Sequence, residues 1–565
     1  MFINKKNRKK LLIICIAVLL VCFVIGTSYA YWIATITQTE DNYGASKCLD
    51  ISFVGNFDID LSGFPPMSDE EGAELPPYVF TIKNTCTMVA KYQVNLDDFD
   101  VSPNEALEHQ YIKVALDDDI PDILSHFATV DPTIPGAIGS RKLDVGILEP
   151  GDEITYELRL WFDEDTPKVS KYFENKIVVI AVPAKEKYCD IADVTKFKNA
   201  LICDNDGPEV ISAKDEPNFA AVADTEALSG MWKSEDDYGD SYYFRGTKAD
   251  LNNNVIFGGF QWKIIRTTGR GAVKLVYNGT EEQFTNNGTV NNSGVDTVYN
   301  IATDYGHGRN ANAYVGYMYG TPGGGALYPG GSGATMVPAA YMVEHDNINE
   351  SIAKELVDQW YENNINNSDE YKIADTIYCG DKGIYSGSGN GVRTASSTSY
   401  YPIGRNYTLH EPSLICQNLC RPSSCTGVNY NNTVPLTHDQ FTVNQKTYYH
   451  KSGVAKEIGN AKLNHPVGLM TVDEVTFAGG VWGVANSTYY LYNGIRYYTM
   501  SPVQFLLSVD TYYSYIGYIS QTGSLTTAHT ATIGNPVYLR PVITIKRNNV
   551  VSGGDGSTTN PYIID

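Results

Sequence analysis

The run ILEPGDEITYELRLWFDED, Ile147 to Asp165, decides the class of the first half of this chain. Tyr156, Leu158 and Leu160 fall at every second position, while Glu157, Arg159 and Trp161 take the positions between them. A period of two belongs to a strand, because successive Cβ atoms of a pleated backbone point to opposite faces. Upstream, Pro150-Gly151-Asp152 offers a preset φ followed by a residue free to take a positive one, so the chain is expected to reverse there. Working outward, the alternation recurs in Ile33–Thr39, ISFVGNFDIDL (Ile51–Leu61), PYVFTIKNTCTMVAKYQVNL (Pro77–Leu96), YIKVAL (Tyr111–Leu116) and KIVVIAV (Lys176–Val182). Strand after strand with polar breaks, and almost no helical period, predicts an antiparallel sandwich over residues 31–184, either a jelly roll or immunoglobulin-like.

Before the first strand, Lys5, Lys6, Arg8, Lys9 and Lys10 precede an apolar run from Leu11 to Gly26, and Ser28-Tyr29-Ala30 places small residues at the two positions a signal peptidase reads. Residues 1–30 are therefore expected to be a signal peptide, or an N-terminal membrane anchor holding the protein through residues 11–30 if uncleaved. Leu19-Leu20-Val21 lacks the small residue expected before a lipid-modified cysteine at Cys22. The protein is expected outside the cell or at its surface, where cysteines form disulfides. Cys48, Cys86, Cys189, Cys203, Cys379, Cys416, Cys420 and Cys425 remain once Cys15 and Cys22 are set aside. The pairing expected from spacing is Cys48–Cys86, Cys189–Cys203, Cys379–Cys416 and Cys420–Cys425, although spacing alone does not fix connectivity.

A chain of 565 residues exceeds one core and implies two or three domains. Its 65 acidic against 42 basic side chains give a net charge of −23, which disfavours nucleic acid and anionic lipid as partners. Residues 185–240 are expected to form a short disulfide-pinned helix between Cys189 and Cys203 followed by a polar linker, with a third domain over 241–565. That domain opens with YYFRGTKADLNNNVIFGGFQWKIIR (Tyr242–Arg266). It contains two helix candidates: one with Ile352, Leu356, Val357 and Trp360 on a face, another opened by the capping-box spacing Thr471-Val472-Asp473-Glu474. Two helices, short strands and long Gly/Asn/Ser/Tyr loops suggest an α+β, C-type-lectin-like fold.

No enzyme motif is complete. The nine histidines lack His-Glu-x-x-His spacing, Ser351-Ile352-Ala353-Lys354 has no partner motifs, and the glycines at 323–325 neither follow a clear strand nor open a helix. Cys416-x3-Cys420-x4-Cys425 fits no common zinc finger. Asp117-Asp118-Asp119 and Asp163-Glu164-Asp165 read as solvated loop ends rather than calcium sites. No catalytic residue, metal or cofactor is assigned. The partner signal is Tyr489–Ser524, crowded with tyrosine among Ser and Thr, a mixture that buries rigid surface at low entropy cost. Tyr497 and Tyr498 are expected in the core. Tyr512, Tyr513, Tyr515, Tyr518, Ser520, Ser524 and His529 are expected to form an exposed ligand-binding face.

Two resemblances follow from these residues. The export signal running into a strand, the strand-Asn-Thr-strand unit and the Leu-x-Pro-Gly turn before Leu-Arg-Leu-Trp resemble the TasA/camelysin type of secreted matrix subunit from Gram-positive bacteria. This resemblance covers residues 1–184 and implies a jelly roll that can polymerise, as in a biofilm matrix, by donating its N-terminal strand. The stretches FQWKIIR (Phe260–Arg266), HPVGLMTVDEVTFAGG (His465–Gly480), YYTMSP (Tyr497–Pro502) and LRPVITI (Leu539–Ile545) resemble bacterial C-type-lectin-like modules, the superfamily of formylglycine-generating enzymes and retroelement variable proteins. No cysteine follows Cys425, so formylglycine chemistry is not carried over. Glu216-Pro217-Asn218 matches a lectin calcium triplet only by letters. The expected function is a non-enzymatic adhesin binding a protein or glycan on another cell surface. The alternatives are a structural fibre subunit that self-associates through its N-terminal strand, and a glycan or cell-wall processing enzyme.

Overall fold

A computed structural model of the chain describes most of residues 65–183, 186–291, 349–415 and 463–564, together with 316–319 and separate strands at 33–36, 49–53, 299–303, 446–449 and 455–458. The protein is mostly β and divides into two compact units, Met1–Glu186 and Lys187–Asp565.

The described strands of the first unit are β1 (Ile33–Ile36), β2 (Leu49–Phe53), β3 (Tyr78–Asn84), β4 (Ala90–Phe99), β5 (Ile112–Leu116), β6 (Asp122–Ile123), β7 (Ala137–Leu148), β8 (Glu153–Phe162) and β9 (Tyr172–Pro183). They form two sheets, ordered β1-β9-β4-β7 and β2-β3-β8-β5-β6. One core joins them: Phe80, Tyr156, Leu158 and Leu160 from the second sheet meet Tyr92, Val94, Phe173 and Val179 from the first. Phe80 stacks on Tyr156 at 5.1 Å, and the hydroxyls of Tyr92 and Tyr156 meet at 2.7 Å across the sandwich.

The alternation along β8 holds, yet its other face is covered as well. Trp161 is fully buried with Met67 and Ala115 beneath the short helix Asp69–Ala73, where a side chain at Gly72 would meet the indole at 2.2 Å. The Pro150-Gly151 turn is not a hairpin. It carries the chain from β7 in one sheet to β8 in the other, and Asn84 makes the corresponding crossing from β3 to β4. The two corners are tied together. The Asn84 amide donates to the carbonyls of Met88 and Leu148, and the Gly151 N–H donates to the Asn84 carbonyl.

In the second unit the described strands begin with β10 (Gly230–Asp236), β11 (Gly239–Arg245), β12 (Asn254–Phe257), β13 (Phe260–Thr267), β14 (Val273–Thr280), β15 (Tyr299–Thr303), β16 (Met318–Tyr319) and β17 (Asn349–Glu350). There follow β18 (Ile384–Gly387), β19 (Ser397–Tyr400), β20 (Lys446–Tyr449), β21 (Ala455–Ile458), β22 (Tyr497–Ser508), β23 (Thr511–Ile519), β24 (Leu525–His529), β25 (Val537–Leu539), β26 (Val542–Ile545), β27 (Val551–Gly553) and β28 (Tyr562–Ile564). One sheet runs β10-β11-β13-β12-β28-β27, with β14 on β13 and β26 on β14. A second runs β15-β25-β22-β19-β18, continued from β22 through β23 to β24.

Both expected helices are present, at Ile352–Asn364 and Val472–Phe477. The first is capped by Ser351, whose hydroxyl accepts the Lys354 amide, so the Ser-x-x-Lys letters mark a helix start. Its Trp360 packs among Phe260, Trp262 and Tyr277 with ring centroids 5.5–6.0 Å apart. Removing such an indole costs about 3–5 kcal/mol.

The expected linker is corrected. Residues 187–240 belong to the second unit, and Cys189 and Cys203 are joined by a disulfide across the helix Phe197–Cys203. Phe197, Leu201, Ile202 and Ile211 are in its core, and β10 pairs along its whole length with β11. Arg245 fastens the following loop. Its buried guanidinium donates to the carbonyls of Asn218 and Ala221, and to those of Thr476 and Phe477 at the end of the Val472–Phe477 helix.

Candidate functional site

The tyrosine-rich segment forms the meander β22–β23–β24, with Tyr498 opposite Tyr518 and Tyr515 opposite His529. Tyr497 and Tyr498 are buried, as expected from their place beside Met-Ser-Pro. Among the described side chains, Tyr515 and Tyr518 do not share one exposed face. Tyr515 and Tyr518, three apart on one strand, point to opposite faces, and both are half-buried against the core. Gly517 between them lets the Val472–Phe477 helix lie on the strand, since a Cβ there would come 2.2 Å from Val472 Cγ1. Tyr512, Tyr513 and His529 lie in these strands, but their side chains are outside what is described. Ser524 is 8% exposed, and Ser520 remains half-exposed at the turn. Cys86 and Cys379 are disulfide-bonded; Cys48, Cys416, Cys420 and Cys425, assigned above as partners, lie outside the described residues, as does the segment 1–30.

Two arrangements were not anticipated. The first is a charged cavity of about 30 Å³, room for one or two waters, at the start of the Val472–Phe477 helix. The expected capping box is there: Glu474 N–H donates to Thr471 Oγ1 at 3.1 Å, and Thr471 N–H to Glu474 Oε2 at 3.0 Å. Glu474 Oε1 accepts from Lys274 at 2.6 Å and Arg266 at 3.1 Å, and Arg266 reaches Asp236 at 2.6 Å. Next to it, Arg405 grips Asp473 through two nitrogens at 2.9 and 2.8 Å and Asp381 through a third at 2.6 Å. Burial opposes charge on Glu474, but Lys274 and Arg266 outweigh it and hold the carboxyl below its ordinary range. Burial likewise depresses Arg405, and Asp473 and Asp381 more than reverse it. These charges are engaged with one another, the pattern of a structural network. Among the described residues no three His, Cys, Asp or Glu side chains are placed to hold a metal.

The second arrangement is on the surface. Arg405 sits in the π-helical turn Gly404–Leu409, so its grip on Asp473 fixes the backbone that presents Tyr407, 56% exposed. The Tyr407 ring lies 6.1 Å from half-buried Trp482, and Val484 beside it is 44% exposed. Trp482 is bridged to Leu525 at the start of β24. The Ser520–Ser524 turn is held against the same loop, because Asn486 N–H donates to the Thr522 carbonyl and the Gly523 backbone sits where a Cβ would meet Asn486 O at 1.8 Å. Val481–Asn493 and Thr511–Ala528 carry no charged side chain. An aromatic pair on a loop tied to the Ser520–Ser524 turn can stack on a ligand without ionic contacts; within that turn the Ser520 hydroxyl is paired with Thr522 Oγ1 and accepts the Thr522 and Ser524 N–H groups. Sequence pattern pointed to Ser520 but not to Tyr407 and Trp482, which lie apart in the chain. Comparison with protein-family models, with curated proteins and with solved structures finds no match in any of the three.

Proposed function

We propose that this chain is an exported, surface-displayed binding protein whose second unit, a C-type-lectin-like module, takes its ligand at Tyr407, Trp482 and the Ser520–Ser524 turn. The observation that carries this reading is the ring pair itself: aromatic surface left in water on a backbone clamped by buried ion pairs, with affinity available when a partner dries it. The module reading draws support from its two helices and from β12 near its start pairing with β28 at its end. In the first unit most successive strands change sheet, the neighbours β2–β3 and β5–β6 excepted, and the resulting orders β1-β9-β4-β7 and β2-β3-β8-β5-β6 interleave in a way that favours the jelly roll over the immunoglobulin form.

The test is retention of the labelled protein on intact bacterial and animal cells. Tyr407→Ala is expected to abolish retention with little change in Tm, and adding Trp482→Ala is expected to lower Tm as well because that ring also packs on the core, whereas Tyr515→Ala should lower Tm and leave retention intact. Retention unaffected by the double change would remove this surface from the function. A second reading, the fibre subunit, is favoured by β1, a four-residue strand at the sheet edge that runs parallel to β9 and follows the export signal. Concentration-dependent polymers that disappear on deleting residues 31–40 would support it.

A further inference from the structure

We propose that Lys263 and Asn254 are the two halves of an intramolecular amide cross-link that covalently joins β12 to β13. The two residues are direct partners in the antiparallel register, at the end of the hairpin away from its Gly258-Gly259 turn. On facing strands such partners project to the same side. Lys263 is 1% exposed and Asn254 0%. The amide's orientation is fixed, because Asn254 Nδ2 donates to the Gly556 carbonyl at 2.7 Å and thereby turns Oδ1 toward Lys263, whose Nζ lies 2.5 Å away. The contrast with other buried lysines of this unit is chemical. Lys274 lies on Glu474, and Lys354 on Glu350 and Asp358, as cations held by carboxylates. Lys263 lies on a carboxamide.

Burial, then the positive charges of Arg540 and Lys248, push the Lys263 amine down to about 7, so near neutral pH a large share of it carries the lone pair a nucleophile needs. Attack of Nζ on Asn254 Cγ forms the new C–N bond, and the Cγ–Nδ2 bond breaks. Nitrogen Nδ2 leaves as ammonia, taking up the proton that Nζ sheds, so amine plus carboxamide give a secondary amide plus ammonia with no oxidant or cofactor. The Arg540 charge that disfavours a protonated Lys263 would favour the negative charge developing on Oδ1. The Gly556 carbonyl keeps a donor when Nδ2 departs, because the Asn254 backbone N–H also reaches it at 3.0 Å. The product removes a buried ionisable amine and locks β12, the partner of β28, to its neighbour.

The test is the mass of the purified, reduced full chain with tryptic mapping. The expected result is a mass lighter than the sequence by one ammonia and a peptide in which Asn254 and Lys263 are joined, with no cleavage after Lys263. Asn254→Ala and Lys263→Met are each expected to restore the unmodified mass. Wild-type protein at full mass, with trypsin cutting after Lys263, would overturn the cross-link whether or not the variants fold.

Discussion

Glu474 does two jobs with its two oxygens, closing the capping box with one and accepting from Lys274 and Arg266 with the other. Removing its charge leaves two buried cations short of a partner, so Glu474→Gln is expected to destabilise the protein by about 3–5 kcal/mol at pH 7. The pH dependence has a definite sign. The folded-state pKa of Glu474 is depressed, so its stabilisation is complete above the unfolded value of 4.5 and is lost as pH falls through the folded value. Denaturant midpoints measured from pH 6 downward should fall more steeply below about 4.5 in the native protein than in Glu474→Gln; parallel curves would show that the carboxylate is not coupled to folding. Arg245→Met is expected to cost a comparable amount, because it strands carbonyls in a buried place, each worth about 1–3 kcal/mol. The cap was legible in Thr471-Val472-Asp473-Glu474 because it is local. The cations were not, because Lys274 and Arg266 are 200 and 208 residues away in sequence.

The period-two pattern located strands such as β8 but did not say what covers them. On β8 the position read as outward, Trp161, is as buried as those read as inward, because a short helix and Met67 close over it. On β23, Tyr515 and Tyr518, which looked like part of a binding loop, are half-buried against the core, and the residue that meets the Val472–Phe477 helix is an inconspicuous glycine. Gly517→Val is expected to destabilise by about 1–3 kcal/mol, by forcing the Val472–Phe477 helix off the sheet or distorting its side chains. The check is thermal melting beside Gly483→Val, where nothing lies within 4 Å; there the left-handed backbone, at φ +72, sets the cost. Equal losses of retention on cells and of Tm in Gly517→Val would mark the meander as scaffold, whereas lost retention at unchanged Tm would return the ligand to β23. Turn chemistry was read correctly at Pro150-Gly151, but a turn that changes sheets and one that closes a hairpin use the same residues, and only the partners of β7 and β8 separate them.

The segment 187–240 was read as part linker because it is acidic and polar on average, whereas its few apolar residues are the ones that matter. Phe197 meets Tyr562 edge-on at 5.6 Å, its N–H donates to the Asn549 carbonyl, and Phe219 packs on Phe477 at 5.0 Å, so both ends of this segment are built into the second unit. A segment whose backbone is hydrogen-bonded and whose rings are buried resists proteolysis whatever its composition. Trypsin is therefore expected to cut at Lys185 or Lys187, where Glu186 and Lys187 are exposed and the two units divide, and to spare Lys214 and Lys233 under native conditions. Lys214 is held by Asp206 and lies over the Trp232 ring, and Lys233 is paired to Asp240 within β10 and β11. Fragment mapping should find new N-termini at Glu186 or Tyr188 and none between 204 and 237, and calorimetry should resolve separate transitions for the native chain that persist in the cleaved mixture. Early cleavage at Lys214 or Lys233 would return that segment to a linker. It would also take away the Arg245 anchorage that holds Asn218 and Ala221 to the helix bearing Asp473, and with it the clamped backbone on which Tyr407 is presented.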